Sequence, residues 1–321
     1  MKVVIAGGTG FLGRPLSAAL AAGGHDVVIL SRAVAASAPP HANVSRGQTA
    51  TPGRPRLRSV AWTPNGTTGP WASELDGAGA VVNLAGESIA ARRWTSAQKQ
   101  RILDSRVQAT RSLVAAVRGA APAPLVFVSG SAVGYYGPLG DETATEDTPP
   151  GADFLAGVCV QWESEAMRAA DAPTRVVCIR TGLVLEKDGG ALPQMLPPFT
   201  FGAGGPVGSG RQYWPWIHRE DWIALVVWAI LTPSVTGAVN VTAPSPVTNA
   251  AFARALGRVL HRPAFVPAPA FALRLLLGEM ADALLLSGQR AVPAAAEQLG
   301  FRFRYAGVDE ALAAIFNSER A

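Results

Sequence analysis

Gly7-Gly8-Thr9-Gly10-Phe11-Leu12-Gly13 decides how this 321-residue chain is read. It follows the apolar run Lys2–Ala6, opens the helical stretch Leu12–Gly23 and precedes a second apolar run, Asp26–Leu30. Strand, glycine turn, helix and strand in that order give each glycine a task. Gly10 lets the backbone approach a pyrophosphate, and Gly13 permits close helix–strand packing. Gly7, Thr9, Gly10, Phe11, Leu12 and Gly13 are therefore the expected phosphate cradle, with free N–H groups at the helix N-terminus.

Outward from this turn the same rhythm continues. Ala80–Leu84, Leu125–Ser129 and Arg175–Arg180 are apolar runs of strand length, as suits strands buried on both faces of a parallel sheet. Helical stretches lie between them at Thr95–Gly119, with a Thr95-Ser96 cap, and at about 155–170. The pattern predicts an α/β fold: a Rossmann doubly wound parallel sheet with a smaller C-terminal substrate-capping lobe. Ala33–Ser59 breaks the rhythm and reads as a long connection. Beyond Arg180, Gly189–Gly210 reads as loop, Asp221–Leu231 as helix and Ala238–Val241 as strand. Asn249–Leu260 and Ala270–Leu286 read as helices, the latter apolar enough to be buried or to form a subunit contact. The expected division is 1–185 for the nucleotide-binding domain, with 218–243 returning to it, and 186–321 for the capping lobe.

Composition limits the function. Hydrophobic residues make up 49% and charged residues 16%, which excludes a disordered chain. The net charge is +5, yet only Lys2, Lys99 and Lys187 are lysines among 28 basic residues, a skew that reads as background bias. Cys159 and Cys178 make neither a disulfide framework nor a metal knuckle, and His25, His41, His218 and His261 are scattered, so no metal is expected. No apolar run reaches the ~20 residues of a membrane span. A cytoplasmic chain with no membrane or nucleic-acid partner is expected, homo-oligomerisation being left open.

The end of the second apolar run bears on the cofactor. Ser31-Arg32 stands about 20 residues beyond Gly13, where an NAD site carries a carboxylate for the ribose. A guanidinium there pairs with a 2′-phosphate through charge-assisted hydrogen bonds, so NADP(H) is expected. The alternative for Arg32 is an ordinary solvated arginine.

These strings resemble the short-chain dehydrogenase/reductase superfamily in its extended, epimerase-like form. GGTGFLG resembles the cofactor fingerprint, Asn83-Leu84-Ala85-Gly86 the fourth-strand motif lining the cofactor, and Ser129-Gly130-Ser131 the catalytic serine segment. Trp216-Ile217-His218-Arg219-Glu220-Asp221 is similar to the segment returning to the core. The resemblance implies that Leu84, Ala85, Gly86 and Ser129 line the cofactor. It also implies a Tyr-x-x-x-Lys pair, where Tyr is the acid/base and Lys lowers its pKa. Counted back from Glu163, Leu155 stands in the Tyr position and Cys159 in the Lys position, while Arg106 replaces an expected asparagine. That combination, with NLAGESIAARRW, SGSAVGYYG, GRQYWPWIH and GQRAVP, resembles the atypical "epimerase family protein" subgroup with its C-terminal domain of unknown function.

Chemistry without that pair needs other groups. Ser131, Tyr135 and Tyr136 on the post-strand loop are the catalytic candidates, although both tyrosines could simply pack. Arg106 is a candidate positive charge or phosphate ligand, with a structural role as the alternative. Glu87, Arg93, Trp94, Arg211, Tyr213 and Trp216 are the substrate-side candidates, suiting an anionic or planar small molecule. His218 reads as a buried core residue, and Asp141-Glu142 with Glu146-Asp147 as a solvated turn. Two functions stay open: an NADP(H)-dependent oxidoreductase or epimerase-like enzyme, and an NADP(H)-binding sensor or scaffold without turnover.

Overall fold

The computed structural model describes residues 1–32 and 57–317. Its centre is a sheet of seven parallel strands. In chain order the strands of the molecule are β1 (Lys2–Ala6), β2 (Asp26–Ser31), β3 (Leu57–Ala61), β4 (Ala80–Asn83), β5 (Val126–Ala132), β6 (Thr143–Ala144) and β7 (Arg175–Thr181). Then come β8 (Leu183–Leu185), β9 (Tyr213–Trp214), β10 (Trp216–His218), β11 (Gly237–Val241), β12 (Val247–Thr248) and β13 (Arg290–Ala291). The order across the large sheet is β11-β7-β5-β4-β1-β2-β3. The direction of connection reverses between β1 and β4, which is where open α/β sheets form a ligand crevice.

Helices cover both faces. α1 (Gly13–Ala22), α2 (Ser96–Gly119), α3 (Phe154–Met167), α4 (Leu192–Thr200) and α5 (Arg219–Leu231) precede α6 (Asn249–Leu260). α7 (Ala270–Leu277), α8 (Glu279–Ala281), α9 (Ala294–Gln298) and α10 (Val308–Asn317) complete the chain. Leu16 and Leu20 of α1 and Trp222, Leu225 and Val226 of α5 pack on one face of the sheet, among Val3, Ile5, Val128 and Ile179. Ala109, Leu113 and Val117 of α2 and Ala166 of α3 pack on the other, among Val4, Val81 and Phe127. A third core joins Leu192, Phe199, Trp214, Phe252, Leu256 and Leu312 in the C-terminal lobe. Thr95 caps α2 by accepting from the Gln98 amide, as its sequence signal predicts.

Three expectations change. Of the connection predicted over Ala33–Ser59, residues 33–56 lie outside the described residues. Leu57–Ser59 instead begin edge strand β3, which pairs with β2. The expected loop Gly189–Gly210 contains α4, because Pro193 sits at the helix start, where a missing N–H costs nothing, and Leu192 and Phe199 are buried. The single helix expected over Ala270–Leu286 breaks at Gly278 (φ 64°), and α7 buries none of its residues. The sequence predicts burial or a subunit contact for this stretch; within the chain α7 is not buried, whereas Met280 and Ala281 beyond the break are.

Close approach fixes the first turn. A Cβ on Gly13 would lie 2.1 Å from the Gly7 carbonyl oxygen. Gly13→Ala must therefore push α1 off β1, at a cost of about 1–3 kcal/mol of overpacking strain. A melting temperature lowered by several degrees, read by circular dichroism, is the expected outcome; an unchanged one contradicts the packing.

Candidate active site at the carboxyl edge of the sheet

The glycine turn meets the geometry a pyrophosphate needs. Gly7 has φ 80°, and a Cβ there would strike the Leu84 carbonyl carbon at 2.7 Å, so it is held under β4. Gly10 differs: the sole neighbour of its Cβ position within 4 Å is the Gly7 oxygen at 3.3 Å, which leaves its outer side open. No side chain caps α1, so its positive dipole end faces the turn, although the Gly10 and Arg14 amides bond the Gly7 and Gly10 carbonyls. Thr9 is exposed and Leu12 half-buried. Phe11 is wedged against Gly189 and Gly190, where Cβ atoms would approach its ring to 2.5 and 2.9 Å, with the Arg219 guanidinium 5.5 Å from its centre. Ser31 is half-buried at the end of β2, and Arg32 is exposed just beyond it.

The fourth-strand motif is fastened by side chains. Asn83 Oδ1 accepts from the Ala85 amide (3.1 Å), and its Nδ2 donates to Thr110 Oγ1 (2.9 Å). Arg106 donates to the carbonyls of Glu87 and Ile102, each at 3.0 Å, and lies 5.2 Å over the Trp162 ring. A Cβ on Gly86 would come within 3.3 Å of Arg106. Burial lowers the Arg106 pKa, against the pull of Cys159 and Glu87, while an arginine remains charged. Arg106 thus ties the loop after Leu84-Ala85-Gly86 to α2.

The serine and tyrosine candidates belong to one buried network. The β5–β7 register sets Ser131 beside Arg180, and the β7–β11 register sets Arg180 beside Asn240. Ser131 donates to Glu163 Oε1 (2.6 Å), and Arg180 grips Glu163 through two hydrogen bonds of 2.8 and 2.9 Å. Arg180 also donates to the Tyr136 hydroxyl (3.0 Å), which donates to Asn240 Oδ1 (2.6 Å). Glu146 accepts from the Asn240 and Ala295 amides. Tyr136 is 1% exposed, and burial pushes its phenol up to about 12. It is a buried strut whose hydroxyl is engaged by both Arg180 and Asn240. Tyr135 is half-buried, with the Arg180 guanidinium 3.5 Å from its ring centre. Ser129 is fully buried and faces Cys178 across the register.

Leu155 packs near Trp94, Phe154 and Leu277. Cys159 lies 3.7 Å from the Ala132 carbonyl, and burial pushes its thiol up to about 11. Both cysteines are buried free thiols.

The substrate-side candidates separate into two kinds. Trp94 is buried, donates to the Ile89 carbonyl (2.8 Å) and meets Phe154 edge-on at 5.1 Å; Trp216 is fully buried and donates to the Ser245 carbonyl (3.1 Å). Both are packing residues. Glu87 accepts from Gln98 (2.9 Å), Arg93 lies against Gly278, Arg211 is exposed, and Tyr213 has the Arg290 guanidinium 5.4 Å from its ring. Loops 87–94 and 211–213 border one C-terminal segment, since Gln212 donates to the Leu285 carbonyl (2.7 Å) while Arg93 covers Gly278. His218 caps α5 by accepting from the Glu220 amide (3.1 Å), and burial lowers its pKa.

The network of Glu146, Glu163, Arg180 and Asn240 was missed from sequence. Its signal was Arg180, a charged residue inside an otherwise apolar run; what it would meet was not readable.

With this geometry in view, comparison with known proteins decides the family. The family model described as "NAD dependent epimerase/dehydratase family" matches residues 3–242. The chain belongs to that family. Residues 268–315 match a domain of unknown function, DUF1731. "Epimerase family protein Mb2239" of Mycobacterium bovis is 43% identical over 311 residues, covering 97% of this chain and 96% of its own length. A chloroplastic epimerase family protein SDR39U1 homolog of Arabidopsis thaliana is 40% identical over 98% of this chain and 86% of its own. The crystal structure of human epimerase family protein SDR39U1 (isoform2) with NADPH superposes with a TM-score of 0.85 at 34% identity, covering 99% of this chain and 100% of that one. The expected resemblance and the Rossmann-like fold are thereby borne out. Among the described residues no helix is long and apolar enough to cross a membrane.

The strut role of Tyr136 has a measurable sign. Its phenol ionises near 10 when unfolded and at about 12 when folded, so the native state holds the proton longer. Its contribution is full below pH 10 and declines as pH rises through about 12. Tyr136→Phe should lower stability by about 1–3 kcal/mol, by stranding Asn240 and Arg180, and flatten this alkaline slope. Urea unfolding across that range measures both.

Proposed function

We propose that this chain is an NADP(H)-dependent oxidoreductase, epimerase-like and of the short-chain dehydrogenase/reductase type, acting in the cytoplasm on a small anionic or planar molecule. The observation that carries the reading is the open-sided glycine cradle at an uncapped helix, with Arg32 exposed at the adjoining strand end. The NADPH bound to the 34%-identical human relative supports the choice of cofactor. A nicotinamide dinucleotide, when bound, supplies a hydride donor or acceptor.

In this proposal the chain's own residues do the following. The amides of the Gly7–Gly13 turn hold the phosphates, and Arg32 pairs with the 2′-phosphate. Leu84, Ala85, Gly86 and Ser129 form the wall beside the cradle, with Arg106 bracing it. Ser131 directs its hydroxyl hydrogen to Glu163, so its oxygen is left to accept, which suits a ligand hydroxyl more than a carbonyl. Tyr135 is the half-exposed phenol of the region and carries the proton. Arg93 and Arg211 offer charge to an anionic substrate.

A second reading, a holder of NADP(H) without turnover, is favoured by Leu155 and Cys159. An alkyl group cannot transfer a proton, and a thiol raised to about 11 brings no positive charge. Following NADPH absorbance against carbonyl compounds and nucleotide sugars separates the two. Oxidation of NADPH, lost in Tyr135→Phe, is the result expected of the enzyme; tight binding with none across the panel transfers the conclusion to the holder.

The cofactor assignment has its own test. Arg32→Asp should lower the NADPH-to-NADH affinity ratio about 10–100-fold, the value of one or two hydrogen bonds to a charged group. Quenching of tryptophan fluorescence measures it, and an unchanged ratio refutes the role given to Arg32.

A further inference from the structure

The C-terminal lobe carries a basic concavity outside the nucleotide site. A cavity of about 530 Å³ opens beside α6, lined by Arg254, Gly257, Arg258, His261, Arg262, Ala264 and Phe265. Arg254 and Arg258 stand one turn apart on α6, and Arg262 follows its end, so three guanidinium groups share one side. Among the described residues, Arg258 pairs with Asp309, while neither Arg254 nor Arg262 forms an ion pair. Like charges at this spacing repel, and the negative end of the helix dipole compensates them only in part. His261 closes α6 in the left-handed region (φ 52°), a conformation that costs a non-glycine residue energy and turns the chain into segment 261–267, exposed except at the half-buried Ala264.

Apolar side chains project from the same lobe. Phe265, in the wall of the concavity, is 75% exposed, and Phe201 is 85% exposed. The two segments are joined, because the Val266 amide donates to the Gly204 carbonyl (3.1 Å). α7 begins five residues after Phe265 and exposes Phe271, Leu275 and Leu276 by more than two thirds, without burying any of its residues. Exposed apolar groups in this number mark a surface that meets something. A two-fold contact with a second copy would set like-charged arginines near one another, which disfavours self-association there.

We propose that the Arg254–Arg258–Arg262 concavity, with Phe265 and Phe201 beside it, docks this lobe on an anionic lipid surface, the guanidinium groups holding phosphate headgroups. Such attachment is peripheral: aromatic side chains enter the headgroup region while the basic groups meet lipid phosphate. The expectation of no membrane partner rests on the lack of a spanning segment, which peripheral attachment does not require. It is independent of the proposed chemistry, since none of these residues lies in the glycine cradle.

Flotation of the full chain with vesicles tests it. The protein should float with equimolar phosphatidylcholine and phosphatidylglycerol, remain behind with phosphatidylcholine alone, and dissociate as salt is raised. Arg254→Gln with Arg262→Gln should weaken vesicle binding roughly 30-fold, the loss expected of two basic groups near an anionic surface. Phe265→Ser should weaken it as well, while Arg118→Gln, on α2, leaves it unchanged. The circular dichroism spectrum and melting temperature should be the same in every variant, which shows that each is folded. Absence of flotation with the mixed vesicles overturns the proposal, as does flotation that the arginine pair does not affect. Protection of the concavity by inorganic phosphate without vesicle binding also overturns it, and assigns the site to a soluble anion. A shift to dimers at the vesicle-free concentration, abolished by Phe265→Ser, overturns it in favour of self-association.

Discussion

Arg180 is the constraint around which the carboxyl edge of this molecule is organised. It stands in a buried strand, in register with Ser131 on one side and Asn240 on the other. A guanidinium taken out of water needs partners for all its donors. Glu163 of α3, the Tyr136 hydroxyl and the Glu146 carbonyl supply them. One side chain therefore ties β5, β7, α3 and the turn after β5 into a single rigid piece. Glu146 extends the arrangement to β11 and α9 through backbone amides. Losing one partner of such a pair leaves the other charge buried, which is why the network is all or nothing.

That rigidity has a chemical consequence. The groups that look reactive in a list of residues are mostly spent on holding the edge together. Tyr136 is locked, the Ser131 proton is committed, and Cys159 is a buried neutral thiol. The more open features of this edge, among the described residues, are the glycine cradle, the half-exposed Tyr135 and the arginine-bearing loops around the C-terminal segment Gly278–Leu285. The family relationship and the open cradle agree in pointing to a dinucleotide. Leu155 brings no acid and the Cys159 thiol no positive charge, so binding and turnover are separate properties to measure.

The C-terminal lobe follows another logic. Its core is closed by Trp214, Phe252, Leu256 and Leu312, and its last segment is clipped to the first domain by Asp221, which accepts from the Arg304 and Tyr305 amides at 2.9 Å. α7 lies at the margin of the lobe: Leu277 packs against the Trp94–Ile102–Met280 cluster, while Phe271, Leu275 and Leu276 stay exposed and add little to the stability of the chain. Side chains with no internal partner are where an external surface has to be sought.

The sequence by itself determined the parallel sheet, the glycine turn and the basic residue ending β2. These are properties of local order: buried parallel strands are apolar throughout, and only glycine permits the Gly7–Gly13 approach. Its errors were also local in origin. α4 was missed because prolines outweighed burial that the sequence does not display, and the stretch containing α7 was taken for one helix because Gly278 alone marks its break. Tertiary structure alone decided that Ser131, Glu163, Arg180, Tyr136 and Asn240 meet, because strand register and helix placement bring together residues separated by up to 109 positions. It likewise made Trp94 and Trp216 packing residues, since burial on a neighbouring element depends on contacts that no local pattern encodes.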